Sequence, residues 1–315
     1  MTMISRVQST LMDRLAELPY RLRRRAQTRP LTWPVTLAER GRVVISWPSV
    51  YQWPLTEGMV ETLKDALGRV CQLRVVALPQ PYKGVVMLSC AVDGKAHPVA
   101  LDYSDYPAIN TDALAACSLY LKLQFDRAGY DDGKITAGGY PVTGLDYYKY
   151  YMAYRSRFGH RRRIDVLGRF GYRFQPDLRR KAVALLSESS DIHFVGSAGK
   201  VRYSRFLREA ASARLCLDLP GNGPFTYRVA EFLGIGSCMV SIRHATVLHV
   251  PLEPGMHYVE IADDLSDLVD KCRYYIDHDE ERQQIASAGR DYFDRYLHCD
   301  QLACYYVRKI LDRLV

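Results

Sequence analysis

The stretch Leu215–Ser241, LCLDLPGNGPFTYRVAEFLGIGSCMVS, reads as a buried strand, a Gly/Pro loop, an amphipathic helix and a second buried strand. The loop PGNGP, with Gly221, Gly223 and Pro224, ends at the expected helix start Phe225-Thr226. Outward-facing backbone N–H groups and the positive end of a helix dipole are expected there, with Arg228 one turn in. That combination suits a phosphate. The glycines permit close backbone approach, Thr226 offers a hydroxyl, and Arg228 offers a forked cation matched to a diphosphate. A sugar-nucleotide diphosphate is the leading ligand. The same residues also read as an ordinary strand-to-helix turn, with Arg228 a solvated helix residue.

Outward from this stretch, the second half of the chain alternates strand and helix. RIDVLGRF (163–170), DIHFVG (191–196), RLCLDL (214–219), CMVSI (238–242) and HYVEI (257–261) are near-continuous apolar strands. Helices are expected from Pro176, from Tyr203 to Ala213, from Phe225 and from Asp264. Such alternation predicts a parallel sheet covered on both faces, with ligands at the carboxyl ends of its strands. The first half offers RVVISW (42–47), a helix over Thr56–Val70, then LRVVAL (73–78), GVVMLSCAV (84–92), HPVALDY (97–103) and CSLYLKLQF (117–125). A Gly/Asp-rich loop over 126–144 and a tyrosine-striped helix, Tyr147–Phe158, lead into the second half. At 315 residues about two domains are expected. The reading is α/β, with two Rossmann-like doubly wound lobes facing a cleft. Its units are a basic amphipathic arm over 1–40, a first lobe over 41–155, a nucleotide-sugar-binding lobe over 156–297 and a final helix over 298–315. Neither G-x-G-x-x-G nor G-x-x-x-x-G-K-[ST] occurs, which argues against dinucleotide oxidoreductases and P-loop kinases.

The net charge of +8 is uneven: seven arginines against two acids in residues 1–30 supply five of the eight charges. Ile4, Val7, Leu11, Leu15 and Leu18 recur at three- and four-residue steps ahead of the Arg21–Arg25 cluster, a pattern suited to an anionic membrane surface. A helix docked on its own protein, with a solvated basic tail, fits equally. Nucleic acid is not expected as a partner, because aromatic residues do not interleave with these arginines and the rest of the chain carries only +3. No apolar run is long enough to span a membrane and no secretory signal is apparent, so a cytoplasmic location, peripheral to the inner membrane face, is the expectation. The eight cysteines are scattered in apolar stretches without a C-x-x-C pair, and the histidines show no ligand spacing. Buried thiols, no structural metal and no bound cofactor are therefore expected.

TYRVAEFLGIGSCMVS (226–241), PLEPGMHYVEIADDLSDLVDKCRYYIDHDEERQQIASAGRDYFDRYL (251–297) and LHCDQLACYYVRKIL (297–311) together resemble the carboxyl half of the capsule-associated-protein and protein O-glucosyltransferase family, glycosyltransferase family 90. Upstream, GRFGYRFQPDLRRKAV (168–183) resembles that family's glycine-arginine loop and Arg-bearing helix, and DYSDYPAI (102–109) its Asp-Tyr-Pro segment. The first lobe is much shorter than in eukaryotic members. The resemblance implies a GT-B-type fold and metal-independent, inverting transfer from a nucleotide sugar. It makes Asp105 the base that takes the acceptor hydroxyl's proton, with Asp102 the local rival; either also reads as a turn or capping aspartate. Arg228, then Arg169 and Arg173 of the loop Gly168–Arg173, would hold the departing diphosphate, with Gly171 letting the chain approach. Arg173 reads equally as the partner of a surface acid. Glu231, one turn beyond Tyr227, would meet the nucleotide ribose, or is an ordinary helix glutamate. His257 reads as a structural residue opening a strand, and Lys122 as either cleft-facing or the polar side of its strand.

The expected donor is a UDP-sugar of glucose or xylose type, and the acceptor a surface glycan or lipopolysaccharide-type molecule, lipid-linked or free. The alternative is a non-catalytic sugar-nucleotide or glycan-binding module of the same fold.

Overall fold

The computed structural model describes residues 29–144, 146–158, 163–197 and 201–315. The amphipathic pattern of the arm lies outside the described residues.

In the first half, a capping box between Thr36 and Glu39 starts α1 (Leu37–Arg42). It is followed by β1 (Val43–Pro48), α2 (Thr56–Val70), β2 (Gln72–Val76), β3 (Val85–Val92), β4 (Lys95–Asp102), α3 (Thr111–Ala115), β5 (Leu119–Lys122), β6 (Phe125–Asp126) and β7 (Ile135–Ala137). The sheet order is β2-β1-β3-β4-β5-β7. The α/β class holds, yet this sheet departs from the doubly wound expectation. β1 pairs with β2, and β4 with β5 and β5 with β7, in parallel, but β3 is antiparallel to both β1 and β4. The cause is local. Asp93 and Gly94, at φ of 50° and 83°, close a two-residue hairpin between β3 and β4, where a parallel connection would need a crossover of a dozen residues.

The second half runs α4 (Asp146–Phe158), β8 (Ile164–Arg169), α5 (Pro176–Glu188), β9 (Phe194–Ser197), α6 (Tyr203–Ser212), β10 (Ala213–Asp218), α7 (Tyr227–Ile235), β11 (Cys238–Ile242), β12 (Thr246–Val247), β13 (Val259–Ile261), α8 (Leu268–Asp277) and α9 (Asp279–Tyr292). A π-helical turn over Phe293–Leu297 then leads to α10 (Cys299–Leu314). Its sheet, β13-β11-β10-β8-β9, is parallel throughout, as the apolar strands predict. From β8 the chain steps outward to β9, then returns to the other side of β8 as β10. The order therefore reverses between β8 and β10, and a crevice opens beyond their carboxyl ends.

One core runs under the first sheet and through α4, α7 and α10, while a second lies under the parallel sheet with α5, α8 and α9. Tyr147, Tyr148, Tyr151 and Tyr154 of α4 are buried in the first of these, so the tyrosine stripe is packing. α10 returns to lie against α2, and a two-stranded antiparallel ribbon pairs β6 with β12, tying the first half to the second. All eight cysteines are buried.

Candidate active site

β10 ends at Asp218, whose carboxylate is 1% exposed. One oxygen, Oδ1, accepts from Thr226 Oγ1 at 2.6 Å and from Arg228 Nε at 2.9 Å; the other has no partner among the described residues. Arg228 also donates to the Leu219 carbonyl at 2.9 Å. Arg179, on the buried face of α5 with Ala182 and Leu186, reaches the same place. Its guanidinium donates to the carbonyls of Gly171 (2.6 Å), Leu219 (3.2 Å) and Pro220 (2.7 Å). Both guanidinium groups lie over the Phe170 ring, at 5.4 Å for Arg179 and 5.7 Å for Arg228.

Phe170 follows β8 and Leu219 follows β10, so this pair of cations occupies the crevice where strand order reverses. Two guanidinium groups face one carboxylate. Burial first, then repulsion from Arg228, holds the Arg179 guanidinium down to about 10, against the opposing pull of Asp218. A buried cation short of countercharge is a place where an anion adds stability.

Asp105 belongs to the loop after β4. Its Oδ2 accepts from Asn222 Nδ2 at 2.8 Å, and the neighbouring Tyr106 hydroxyl donates to Asn222 Oδ1 at 2.8 Å. Asn222 is the centre of PGNGP, so that loop bridges the two halves. Gly223 is what allows it, since a Cβ at this position would collide with the Asp105 carbonyl. The side-chain amide of Gln124 then pairs with Phe225 both ways, donating to its carbonyl (3.0 Å) and accepting from its N–H (3.2 Å). The close approach that glycine permits is thus spent on joining the halves. Asp105 and Arg228 come to opposite ends of one short loop, Asn222–Thr226.

Asp102, three residues before Asp105, has a different fate. It is 1% exposed, pairs with Lys122 Nζ at 2.6 Å, and accepts from the Tyr120 hydroxyl (2.5 Å) and the Ser104 N–H (2.8 Å). Lys122 is wholly buried rather than cleft-facing or solvated, and it also donates to Ser104 Oγ (2.8 Å) and the Ala108 carbonyl (3.0 Å). This pair pins both ends of the loop that carries Asp105. Burial draws the Lys122 ammonium down, and Asp102 opposes that.

The other sequence candidates spread out. Arg169 makes a forked pair with Glu209 at the end of β8, and Gly168 lies within 2.9 Å of the Phe194 ring, counted from the Cβ it lacks. Arg173 is exposed, its guanidinium 5.1 Å from the Phe174 ring. Gly171 contributes its carbonyl to Arg179. Thr226 caps α7 and spends its hydroxyl on Asp218, while Pro224 leads into Phe225, buried against Tyr140 and His244. Glu231 is 6% exposed, accepts from the Tyr203 hydroxyl at 2.8 Å, and is pushed up to about 7 by burial. His257 accepts from the Glu253 N–H at 2.9 Å, a structural contact. Among the described residues, His298, Cys299 and Asp300 bring possible ligand atoms within 4.8 Å, but Asp300 is paired with Arg69 and His298 caps α10.

Sequence reasoning missed Arg179, Asp218, Asn222 and Gln124. Two of these carried a signal. Asp218 ends an apolar strand of the parallel sheet, and Arg179 shares a helical face with Ala182 and Leu186. Asn222 and Gln124 carried none, because their partners are about a hundred residues away.

Residues 159–307 match the family model described as "Glycosyl transferase-like". A 55-residue stretch, 18% of this chain, is 44% identical to Protein O-glucosyltransferase 2 of Danio rerio. It spans only 11% of that relative. Among solved structures, HepE of Anabaena in complex with UDP-glucose is similar at a TM-score of 0.42 and 13% identity, over 64% of this chain and 66% of that one. The same protein with UDP and glucose gives 0.42 and 13%, over 62% and 64%. Among the described residues, no helix is long and apolar enough to cross a membrane.

Proposed function

We propose that this protein is a metal-independent, inverting glycosyltransferase of family 90, of GT-B type, that moves glucose or xylose from a UDP-sugar to a surface-glycan or lipopolysaccharide-type acceptor. The observation that carries the reading is the placement of Asp105 and the Arg179–Arg228 pair at two ends of one loop. In this reading Asp105 takes the acceptor hydroxyl's proton. The guanidinium groups receive the diphosphate as negative charge gathers on it, the task a metal performs in other transferases. Asn222 orients the carboxylate, and the Asp102–Lys122 pair holds its loop. The match over residues 159–307 supports the reaction class, and the short likeness to Protein O-glucosyltransferase 2 supports a glucosyl-type donor. Action at the cytoplasmic face of an anionic membrane, through residues 1–30, belongs to the same proposal.

Calorimetric titration with UDP, with and without a chelator, tests the donor side. Binding is expected in both; binding that vanishes with the chelator overturns the metal-free assignment. Sugar transfer to glycan acceptors tests the rest. UDP binding without transfer, across common UDP-sugars and acceptors, would instead favour a non-catalytic sugar-nucleotide module, in which the Asn222 contact merely buries Asp105.

A further inference from the structure

We infer that the exposed ring of Tyr106 is a platform for the acceptor, on which the apolar face of a sugar ring lies while one of that sugar's hydroxyls meets Asp105. This rests on the transfer reading above, and adds the residue that selects the acceptor and the chemical class, a carbohydrate, that it selects.

Tyr106 is 54% exposed, yet it is held in place. Its hydroxyl donates to Asn222 Oδ1 at 2.8 Å, and Nδ2 of the same carboxamide donates to Asp105 Oδ2 at 2.8 Å. One planar amide therefore sets the ring and the carboxylate side by side. The backbone is fixed as well. Pro107 restricts Tyr106 to extended conformations, the Tyr130 hydroxyl donates to the Pro107 carbonyl at 2.6 Å, and Lys122 holds Ser104 Oγ and the Ala108 carbonyl on either side. A ring fixed this way has already lost the freedom that binding would otherwise cost it.

The other exposed aromatic rings among the described residues are occupied. Tyr274 is stacked on His278 with ring centroids 3.8 Å apart, and Phe174 carries the Arg173 guanidinium. No ring or cation lies over Tyr106 among the described residues.

The groups fixed around this ring choose the ligand. They are polar: Asp105, Asn222, and Ser104, whose hydroxyl donates to the Tyr106 carbonyl at 3.4 Å. A pyranose matches that arrangement. The C–H bonds of one face, slightly positive, meet the electron-rich face of the phenol, and the hydroxyls at its edge reach the polar groups. An apolar peptide side chain would cover the same ring but leave those groups without partners.

Saturation-transfer NMR on the full chain, with UDP present, tests this with methyl β-glucoside, methyl β-galactoside and methyl α-mannoside. Saturation of the ring C–H protons of at least one glycoside is expected in the wild type. It should disappear in Tyr106→Ala and persist in Tyr106→Phe, which keeps the ring and gives up the Asn222 bond. No saturation in the wild type, or saturation that survives Tyr106→Ala, overturns the platform. A serine-containing peptide saturated in place of the glycosides overturns the carbohydrate assignment. In transfer assays, Tyr106→Ala should raise the acceptor KM roughly three- to tenfold, with Tyr106→Phe well short of that and the UDP-sugar KM within about twofold of wild type. A loss confined to kcat, or equal rises in both KM values, overturns the acceptor role. Absence of UDP binding by calorimetry overturns the transfer reading, whereas the glycoside signal decides the platform.

Discussion

The two sides of the bridging loop handle buried charge in opposite ways. On the first-half side, Asp102 and Lys122 are sealed at 1% and 0% exposure, matched one to one and surrounded by further hydrogen bonds. On the second-half side, Arg228 pairs with the Asp218 carboxylate while the Arg179 guanidinium donates to backbone carbonyls, and both Arg179 Nε and Asp218 Oδ2 lack partners among the described residues. A matched pair in low dielectric is finished and serves as scaffold. An unmatched cluster keeps a net field and unused donors, so it is still able to bind. The difference separates the residue that holds the loop, Asp102, from the residues offered to a ligand.

The largest test of that contrast is structural. Asp102→Asn leaves the Lys122 ammonium buried without its counter-ion and should cost about 3–5 kcal/mol in urea unfolding, with most of the loss recovered in Asp102→Asn/Lys122→Met. A loss under about 1 kcal/mol would mean the pair is not the scaffold described. Next is Asp105→Asn, which keeps size and hydrogen bonding but cannot take a proton. Turnover should fall about 100-fold or more with UDP-sugar affinity near normal, and a variant that still transfers at wild-type rate moves the base elsewhere.

Arg179→Ala and Arg228→Ala should each weaken UDP binding by about 1.5–3 kcal/mol, read by calorimetry on folded variants. Loss with Arg228 but not Arg179 would narrow the clamp to the residue visible in the sequence. The smallest expected effect concerns pH. His244, His249 and His298 are held neutral by burial, His249 down to about 3. Their proton affinity in the folded state is below that of the unfolded chain. The stability they carry is therefore complete above about pH 6.5 and declines as pH falls, by about 1.4 kcal/mol per pH unit for His249. Urea midpoints at pH 7.5 and 5.5 measure it, and a midpoint that rises on acidification contradicts the burial.

Much of this was legible in the chain. Near-continuous apolar strands alternating with helices sufficed for the parallel second sheet, because that pattern has few other ways to bury itself. Arg228 and the PGNGP loop were visible as local chemistry, and Asp105 through a family resemblance. Local sequence also carries the antiparallel β3–β4 pair, since Asp93-Gly94 is a hairpin signal that the doubly wound reading leaves unused. Arg169 and Arg173 rank behind Arg228 in the sequence, as further cations in a second loop. Only their neighbours distinguish them, Glu209 for one and a surface phenylalanine for the other.

What the sequence determined by itself was set by short-range rules: which segments are strands or helices, and that the second sheet is parallel. Tertiary structure alone decided which charges are spent and which remain available. Asp102 and Asp105 are three residues apart and chemically identical, yet one meets Lys122 and the other meets Asn222. Arg179 becomes a site candidate only because β8 and β10 are neighbours. Charge pairing depends on separations of a few ångströms between residues far apart in the chain, and that is information no local pattern carries.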